Sequence, residues 1–107
     1  MSANDQPSGA AKMFGGFAPQ LVRLTDDVLF GEVWERPDLA ARDRSLITVA
    51  SLVTSGSAGQ LRHHLGRAKD KGVSEAELIE AITHLAFYAG WPRAMTAMGV
   101  AKDLFRG

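Results

Sequence analysis

The segment from Ser74 to Met98 constrains the fold more than any other, because it marks one helix, a break and a second helix. Ser74 followed three residues later by Glu77 is the capping-box pattern that begins a helix. Gly90 suits the end of this helix, and Pro92 suits the first turn of the next one. Apolar residues recur at helical spacing along one face: Leu78, Ile82, Leu85, Ala86 and Ala89.

Three further helices are expected before this segment, which gives an all-α bundle of about five helices. They cover Pro19 to Phe30, Ala40 to Thr54 and Gln60 to Lys71. The apolar residues expected to point inward from the first of them are Leu21, Leu24, Val28 and Leu29. Gly31 and Gly72 are expected to end the first and the third of them. The middle one is rich in β-branched residues, which also suit a buried strand, but its uninterrupted length favours a helix.

The middle helix is apolar on nearly every face between Leu46 and Val53. Such a helix has to be buried on all sides, and in so short a chain this implies burial by other subunits. The last helix carries small residues that would let a neighbouring helix approach closely: Ala94, Ala97, Gly99 and Ala101. Both features predict a homo-oligomer in the form of a helical ring.

Composition excludes several classes of protein and site. The 107 residues suffice for one domain, predicted at 14–107 behind a flexible tail at 1–13. Twelve Lys and Arg balance twelve Asp and Glu, so no nucleic-acid partner is indicated. The absence of cysteine excludes disulfides, thiolate metal sites and cysteine nucleophiles. No apolar run reaches the roughly 18 residues of a membrane helix and no signal peptide is visible, so the predicted location is the cytoplasm, without a membrane partner.

His64 is the first candidate for chemistry, because an imidazole titrates near neutrality and can give or take a proton. Helical spacing places it on one face with Gln60 and Arg67, and an arginine can hold a carboxylate with two hydrogen bonds. The neighbouring His63 points about 100° away. The alternative interpretation of His64 is a histidine hydrogen-bonded in a subunit interface.

Five further residues are candidates, each with a structural alternative. Glu80 and His84, spaced as an acid–base pair, would otherwise form a surface hydrogen bond. Tyr88 either donates a hydrogen bond to a developing enolate or packs its ring. Arg42 binds a substrate carboxylate or contacts another subunit, and Trp34 either stacks on a ligand or packs.

No metal site and no nucleotide cofactor are predicted. His63 and His64 are adjacent, which is poor geometry for two ligands from one helix, and the His-x-x-x-His spacing is missing. No glycine-rich phosphate loop follows a strand, so a nucleotide cofactor has no support in the sequence.

One long run and several shorter motifs carry a family resemblance. The run is His84-Leu-Ala-Phe-Tyr-Ala-Gly-Trp-Pro-Arg-Ala, and the shorter motifs precede it in this order: Arg36-Pro37-Asp38-Leu39, Arg42-Asp43-Arg44-Ser45-Leu46, Leu61-Arg62-His63-His64, Gly72-Val73-Ser74 and Glu77-Leu78. From about Phe30 to Phe105 the sequence resembles the carboxymuconolactone decarboxylase family, which is related to the AhpD-like superfamily. The resemblance implies trimers or hexamers, and it places His64 at the position of the family's recurrent histidine.

The sequence departs from the thiol-peroxidase branch of this family. That branch uses two cysteines and a glutamate with the histidine, and counting back from His64 puts their positions at Ser57, Gln60 and near Ser45. A hydroxyl cannot replace a redox thiol, because its pKa is too high and it forms no disulfide. Peroxidase activity is therefore not expected of this cysteine-less member.

The resemblance implies a cofactor-independent lyase that decarboxylates a small carboxylated lactone or related acid, as in aromatic degradation. His64 would be the acid or base, with His84 or Tyr88 as a second donor and an arginine holding the substrate carboxylate. The substrate-binding candidates are Arg67, Arg42 and Trp34, in a pocket between subunits. The alternative is a catalytically silent member that binds a small metabolite or a protein partner.

Overall fold

The structure, a computed structural model, describes residues 8–107, and the regular elements within them are helical, which confirms the all-α class. None of these helices is long and apolar enough to cross a membrane. The chain divides into two units between Asp38 and Leu39. The elements are α1 Gly9–Phe14, α2 Pro19–Arg23, a π-helical segment Leu24–Val33, α3 Ala41–Ser55, α4 Ala58–Asp70, α5 Glu75–Tyr88 and α6 Trp91–Arg106.

In the N-terminal unit, the helix that begins at Pro19 does not end at Gly31, so that part of the prediction is wrong. The helix widens into the π-helical segment and continues to Val33, where the N–H of Trp34 donates to the carbonyl of Leu29. A glycine typically ends a helix by turning to positive φ, and Gly31 is not among the glycines that do so. The helix therefore passes through it.

The predicted tail at 1–13 begins with residues 1–7, which lie outside the described residues. Its remainder contains Ser8 and α1. The Ser8 hydroxyl accepts a hydrogen bond from the N–H of Ala11 at 3.0 Å and donates one to the Asp26 carboxylate at 2.8 Å. This cap explains why a helix begins where no apolar periodicity indicated one.

Three side chains of the N-terminal unit that were expected to point inward are exposed. Their exposed fractions are 53% for Leu21, 41% for Leu24 and 40% for Leu29. Short helical segments expose more apolar surface than they cover, because surface grows relative to volume in a small unit. The expectation of burial is therefore wrong for these residues in the single chain.

In the C-terminal unit, four helices enclose one apolar core. α3 packs on α4, α5 packs on α6, and α4 also packs on α6. Small side chains on the inner face of α6 allow this helix to lie close to its neighbours. The core residues are Val49, Val53, Leu61, Leu65, Ala68, Val73, Leu78, Ile82, Ala86, Ala94, Ala97 and Ala101.

The signals that were expected to separate these helices are confirmed. Ser74 and Glu77 form a complete capping box, with the Glu77 N–H donating to the Ser74 hydroxyl at 3.0 Å and the Ser74 N–H donating to the Glu77 carboxylate at 2.9 Å. Gly90, with φ of 103°, separates α5 from α6, and Pro92 lies in the first turn of α6. The helix-break-helix pattern therefore fixes the C-terminal half of the bundle.

Burial of the apolar stretch in α3 is one-sided. Val49 and Val53 are 0% and 1% exposed, whereas Ile47 on another face is 60% exposed. A single chain does not bury this helix on all sides as its composition requires. The oligomeric ring that would cover the remaining faces stays a prediction.

Candidate functional site

His64 and Arg67 lie at the edge of the buried face of α4. Leu61 and Leu65 point into the core and fix the rotation of the helix, while Arg62 donates to the Asp103 carboxylate of α6 at 2.5 Å. One turn of α4 separates His64 from Arg67, so the two side chains leave the same side of the helix. Both are half-buried, and the Nδ1 atom of His64 and the Nε atom of Arg67 are shielded from solvent.

The environment of His64 favours its neutral form. Burial lowers the pKa of His64 below its ordinary value, and the charges of His63 and Arg67 lower it further. The His63 ring meets the His64 ring edge-on, with 5.1 Å between centroids. A histidine in this environment accepts a proton less readily than an ordinary histidine, and once protonated it is a stronger acid.

Ser45 lies in α3, and sequence analysis considered it only as the approximate position of a missing glutamate. It is 0% exposed, and it is the only fully buried polar or charged residue in the part of the chain that the structure describes. Its hydroxyl has no hydrogen-bond partner among those residues. A serine has no special signal in a sequence, so only the structure could single it out.

His84 and Tyr88 come together on the outer face of α5. Their rings stack with 4.9 Å between centroids, and Tyr88 is 79% exposed. No hydrogen bond or ion pair joins Glu80 to His84 in residues 8–107, so the expected acid–base pair is replaced by a ring stack. Such a stack leaves the imidazole without a carboxylate to fix its tautomer.

Exposed aromatic side chains continue beyond this stack to the start of α6. The rings of Phe87 and Trp91 meet edge-on with 5.3 Å between centroids, and they are 75% and 56% exposed. Apolar surface of this extent on one corner of a small chain is typical of a surface that contacts another molecule.

Arg42 is engaged in the junction between α3 and α5. Its guanidinium donates to the carboxylates of Glu77 and Asp43. Glu77 raises the pKa of Arg42, while the backbone N–H of Ser74 and then Arg42 lower the pKa of Glu77. Arg42 is therefore tied into the α5 cap, which competes with its expected role in binding a carboxylate.

The remaining candidate, Trp34, belongs to the N-terminal unit. Its ring lies 6.0 Å from that of Phe30, measured between centroids, with a tilted arrangement. This contact is the packing role that was the alternative to stacking on a ligand.

None of the candidate residues lines either of the two best-formed cavities in the described part of the chain. The more apolar of its two best-formed cavities holds about 110 Å³ and is lined by Ile79, Met98, Ala101, Lys102, Phe105 and Arg106. Residues 8–107 also contain no group of three or more His, Asp or Glu side chains arranged to hold a metal ion. The functional geometry that the single chain does supply is the pairing of His64 with Arg67.

Comparison with known sequences assigns the family. The sequence model of the carboxymuconolactone decarboxylase family matches residues 19–103. The chain belongs to the carboxymuconolactone decarboxylase family. The match begins earlier than the resemblance found by inspection, and it includes α2 and the π-helical segment.

Two curated relatives are named as decarboxylases. The 4-carboxymuconolactone decarboxylase of Acinetobacter baylyi is 43% identical over 77 residues, which cover 72% of this chain and 58% of the relative. The nitrosuccinic acid decarboxylase of Metarhizium robertsii is 37% identical over 79 residues, covering 74% of this chain and 55% of the relative. The chain thus spans a little over half the length of these relatives.

A third relative carries no functional name. It is an uncharacterised 15.0 kDa protein of Paracoccus denitrificans, 26% identical over 81 residues, which cover 74% of this chain and 60% of the relative. A decarboxylase-like family function is therefore supported by the two named relatives and the family match.

Proposed function

We propose that this protein is a cofactor-independent decarboxylase of a small carboxylated acid, with a carboxylated lactone as the leading substrate class. The proposal is supported by the two relatives named as decarboxylases and by the pairing of His64 with Arg67 on α4. Its substrate chemistry comes from those relatives, and its residue roles come from the geometry of this chain.

The reaction needs three things from the protein. The leaving carboxylate must be oriented, the electron pair left by the broken C–C bond must spread into a neighbouring carbonyl system, and a proton must be delivered. A substrate that contains such a carbonyl system supplies the electron sink itself. The chemistry therefore requires no cofactor in principle.

Arg67 is assigned to the substrate carboxylate and His64 to the proton. A guanidinium matches the two oxygens of a carboxylate and remains charged at any physiological pH. CO₂ departs, and the electron pair stays on the substrate as an enolate. His64 takes up a proton from the solvent, delivers it to that enolate and returns to its neutral form, so that charge and atoms balance.

The rest of the pocket is assigned to neighbouring subunits. His64 lines neither of the two best-formed cavities of residues 8–107, and α3 and the corner of α5 and α6 are partly exposed. A homo-oligomer, as trimer or hexamer, would enclose the site and bring a second donor such as Tyr88 or His84 from another copy. Exclusion of water would strengthen the electrostatic contacts in such a pocket.

The test is CO₂ release from a panel of carboxylated lactones and β-keto acids, beginning with 4-carboxymuconolactone. His64→Ala is expected to lower turnover by about 10²–10⁴-fold, the usual contribution of a positioned acid or base. His63→Ala is the matched control, because this neighbouring histidine is exposed and only adjusts the pKa of His64. It should change turnover by only a few fold.

Two outcomes would contradict the proposal. Equal losses in the two histidine variants would remove His64 from its role as the proton donor. No CO₂ release from any compound of the panel would favour the second candidate, a catalytically silent member that binds a small metabolite. That candidate is supported by the positions of the two best-formed cavities in the described chain, neither of which is lined by His64.

A further inference from the structure

Ser45 is an unusual residue to find at the centre of this core. Every other fully buried residue in the described chain is apolar, and the Ser45 hydroxyl finds no hydrogen-bond partner among residues 8–107. A buried hydroxyl in this state destabilises the folded chain relative to a satisfied one. An alanine would fill nearly the same space without that cost, so packing alone does not account for a serine.

Ser45 belongs to α3, which packs against the helix that carries the candidate site. α3 and α4 pack on each other and are joined by the short connection at Gly56 and Ser57, so they run antiparallel. Ser45 and Arg67 are equally distant in sequence from Gly56, one before it and the other after it. In an antiparallel helix pair, this puts Ser45 and Arg67 at the same level. His64 lies one turn nearer to the connection.

The chemistry of these three groups is complementary to a carboxylate. Arg67 offers a fork of N–H donors, and a serine hydroxyl adds a short O–H donor from the facing helix. Three polar atoms of this region are shielded from solvent: Arg67 Nε, His64 Nδ1 and Ser45 Oγ. For the Ser45 hydroxyl, which has no hydrogen-bond partner among residues 8–107, such burial is the arrangement expected where the partner is a ligand.

We infer that Ser45 is a substrate-binding residue, whose hydroxyl donates a hydrogen bond to the carboxylate that Arg67 holds. The inference rests on the proposed function, because it uses the same site and the same class of small carboxylated acid. It adds a donor from α3, so that the carboxylate is held between two helices and its rotation about the C–C bond is restricted.

The test is the variant Ser45→Ala, measured both for stability and for binding. Removing an unsatisfied buried hydroxyl should leave the Tm unchanged or raise it, whereas a structural hydroxyl would lower the Tm when removed. The KM for 4-carboxymuconolactone should rise by about 10- to 100-fold, since a hydrogen bond to a charged group is lost. kcat should change much less than KM.

Thr54→Ala is the matched control from the same helix. The Thr54 hydroxyl is exposed and donates to the carbonyl of Ala50 at 2.8 Å, so its loss should not alter KM. A second measurement avoids turnover: succinate, an unreactive dicarboxylate, is titrated while the imidazole signals of His64 are followed by NMR. Succinate should bind the wild-type chain and Thr54→Ala equally, and Ser45→Ala at least tenfold more weakly.

The two proposals fail in different ways. If the wild-type chain releases CO₂ and Ser45→Ala keeps its KM while losing thermal stability, the hydroxyl is structural and the inference about Ser45 is overturned. If succinate binding depends on Ser45 while no substrate releases CO₂, the binding role stands and the decarboxylase proposal fails. If the wild-type chain neither turns over nor binds succinate, both proposals are refuted.

Discussion

The end of α3 offers the clearest test of how this sequence determines the fold. Gly56 has φ of 74°, in the left-handed region, and it closes the helix with hydrogen bonds from its own N–H to Val53 and from the Ser57 N–H to Leu52. This is a Schellman-type cap, for which glycine is preferred. A Cβ atom on Gly56 would also overlap the guanidinium of Arg93, with the Arg93 Cζ atom 2.8 Å away.

Gly56→Ala is therefore expected to destabilise the chain through two separate effects. The left-handed conformation costs a residue with a side chain about 1–2 kcal/mol. Displacing the Arg93 guanidinium from the negative end of the α3 dipole costs about 0.3–1 kcal/mol more. Together these effects predict a loss of about 1.5–3 kcal/mol, or a fall in Tm of about 6–20 °C for a domain of this size.

The assay is urea unfolding followed by circular dichroism, on Gly56→Ala, Arg93→Ala and the double variant. In the Arg93→Ala background the cost of Gly56→Ala should fall to the backbone part alone, because the displaced guanidinium is gone. Gly99→Ala is the control, since a Cβ at this exposed position within α6 meets nothing within 4 Å and should preserve or raise stability. If Gly56→Ala were as stable as the wild-type chain, the explanation of the cap would be wrong.

Three further predictions concern the core, the α5 cap and pH. Leu65→Ala removes a fully buried side chain and should cost about 2–5 kcal/mol in urea unfolding. Ser74→Ala breaks the capping box and should cost about 1 kcal/mol, whereas Ser74→Asp should retain most of the stability. Because the folded state lowers the pKa of His64, the unfolded chain takes up a proton first as pH falls below about 6.5. The free energy of unfolding should thus decrease as the pH falls over that range, and it should decrease more in the wild-type chain than in His64→Gln. The same pH dependence in both chains would contradict this explanation.

Local signals in the sequence were sufficient to predict much of the C-terminal unit. The capping box at Ser74 and the break at Gly90 act within a few residues, so they can be recognised without knowing the rest of the fold. The apolar stretch of α3 was correctly read as a helix, with bounds one residue from those observed. Its burial on all sides depends on other subunits, which a single chain does not contain.

The parts that could not be predicted depend on contacts distant in sequence. Gly31 was expected to end a helix, yet the π-helical segment passes through it, because a glycine ends a helix only where the backbone turns to positive φ. Arg42 appeared free to bind a carboxylate, but the fold brings Glu77 of α5 to its guanidinium. Ser45 carries no signal at all, and only its burial distinguishes it from the other serines.

The central claim is that His64 delivers one proton to one face of the substrate. The most direct test is to run the decarboxylation of 4-carboxymuconolactone in D₂O. A proton donor fixed on α4 predicts one deuterium per product, in a single configuration at the carbon that receives it. His64→Ala should lose both the rate and this selectivity, while His63→Ala keeps both. Deuterium in both configurations equally with the wild-type chain would show that water protonates a released intermediate, and would contradict a catalytic role for His64.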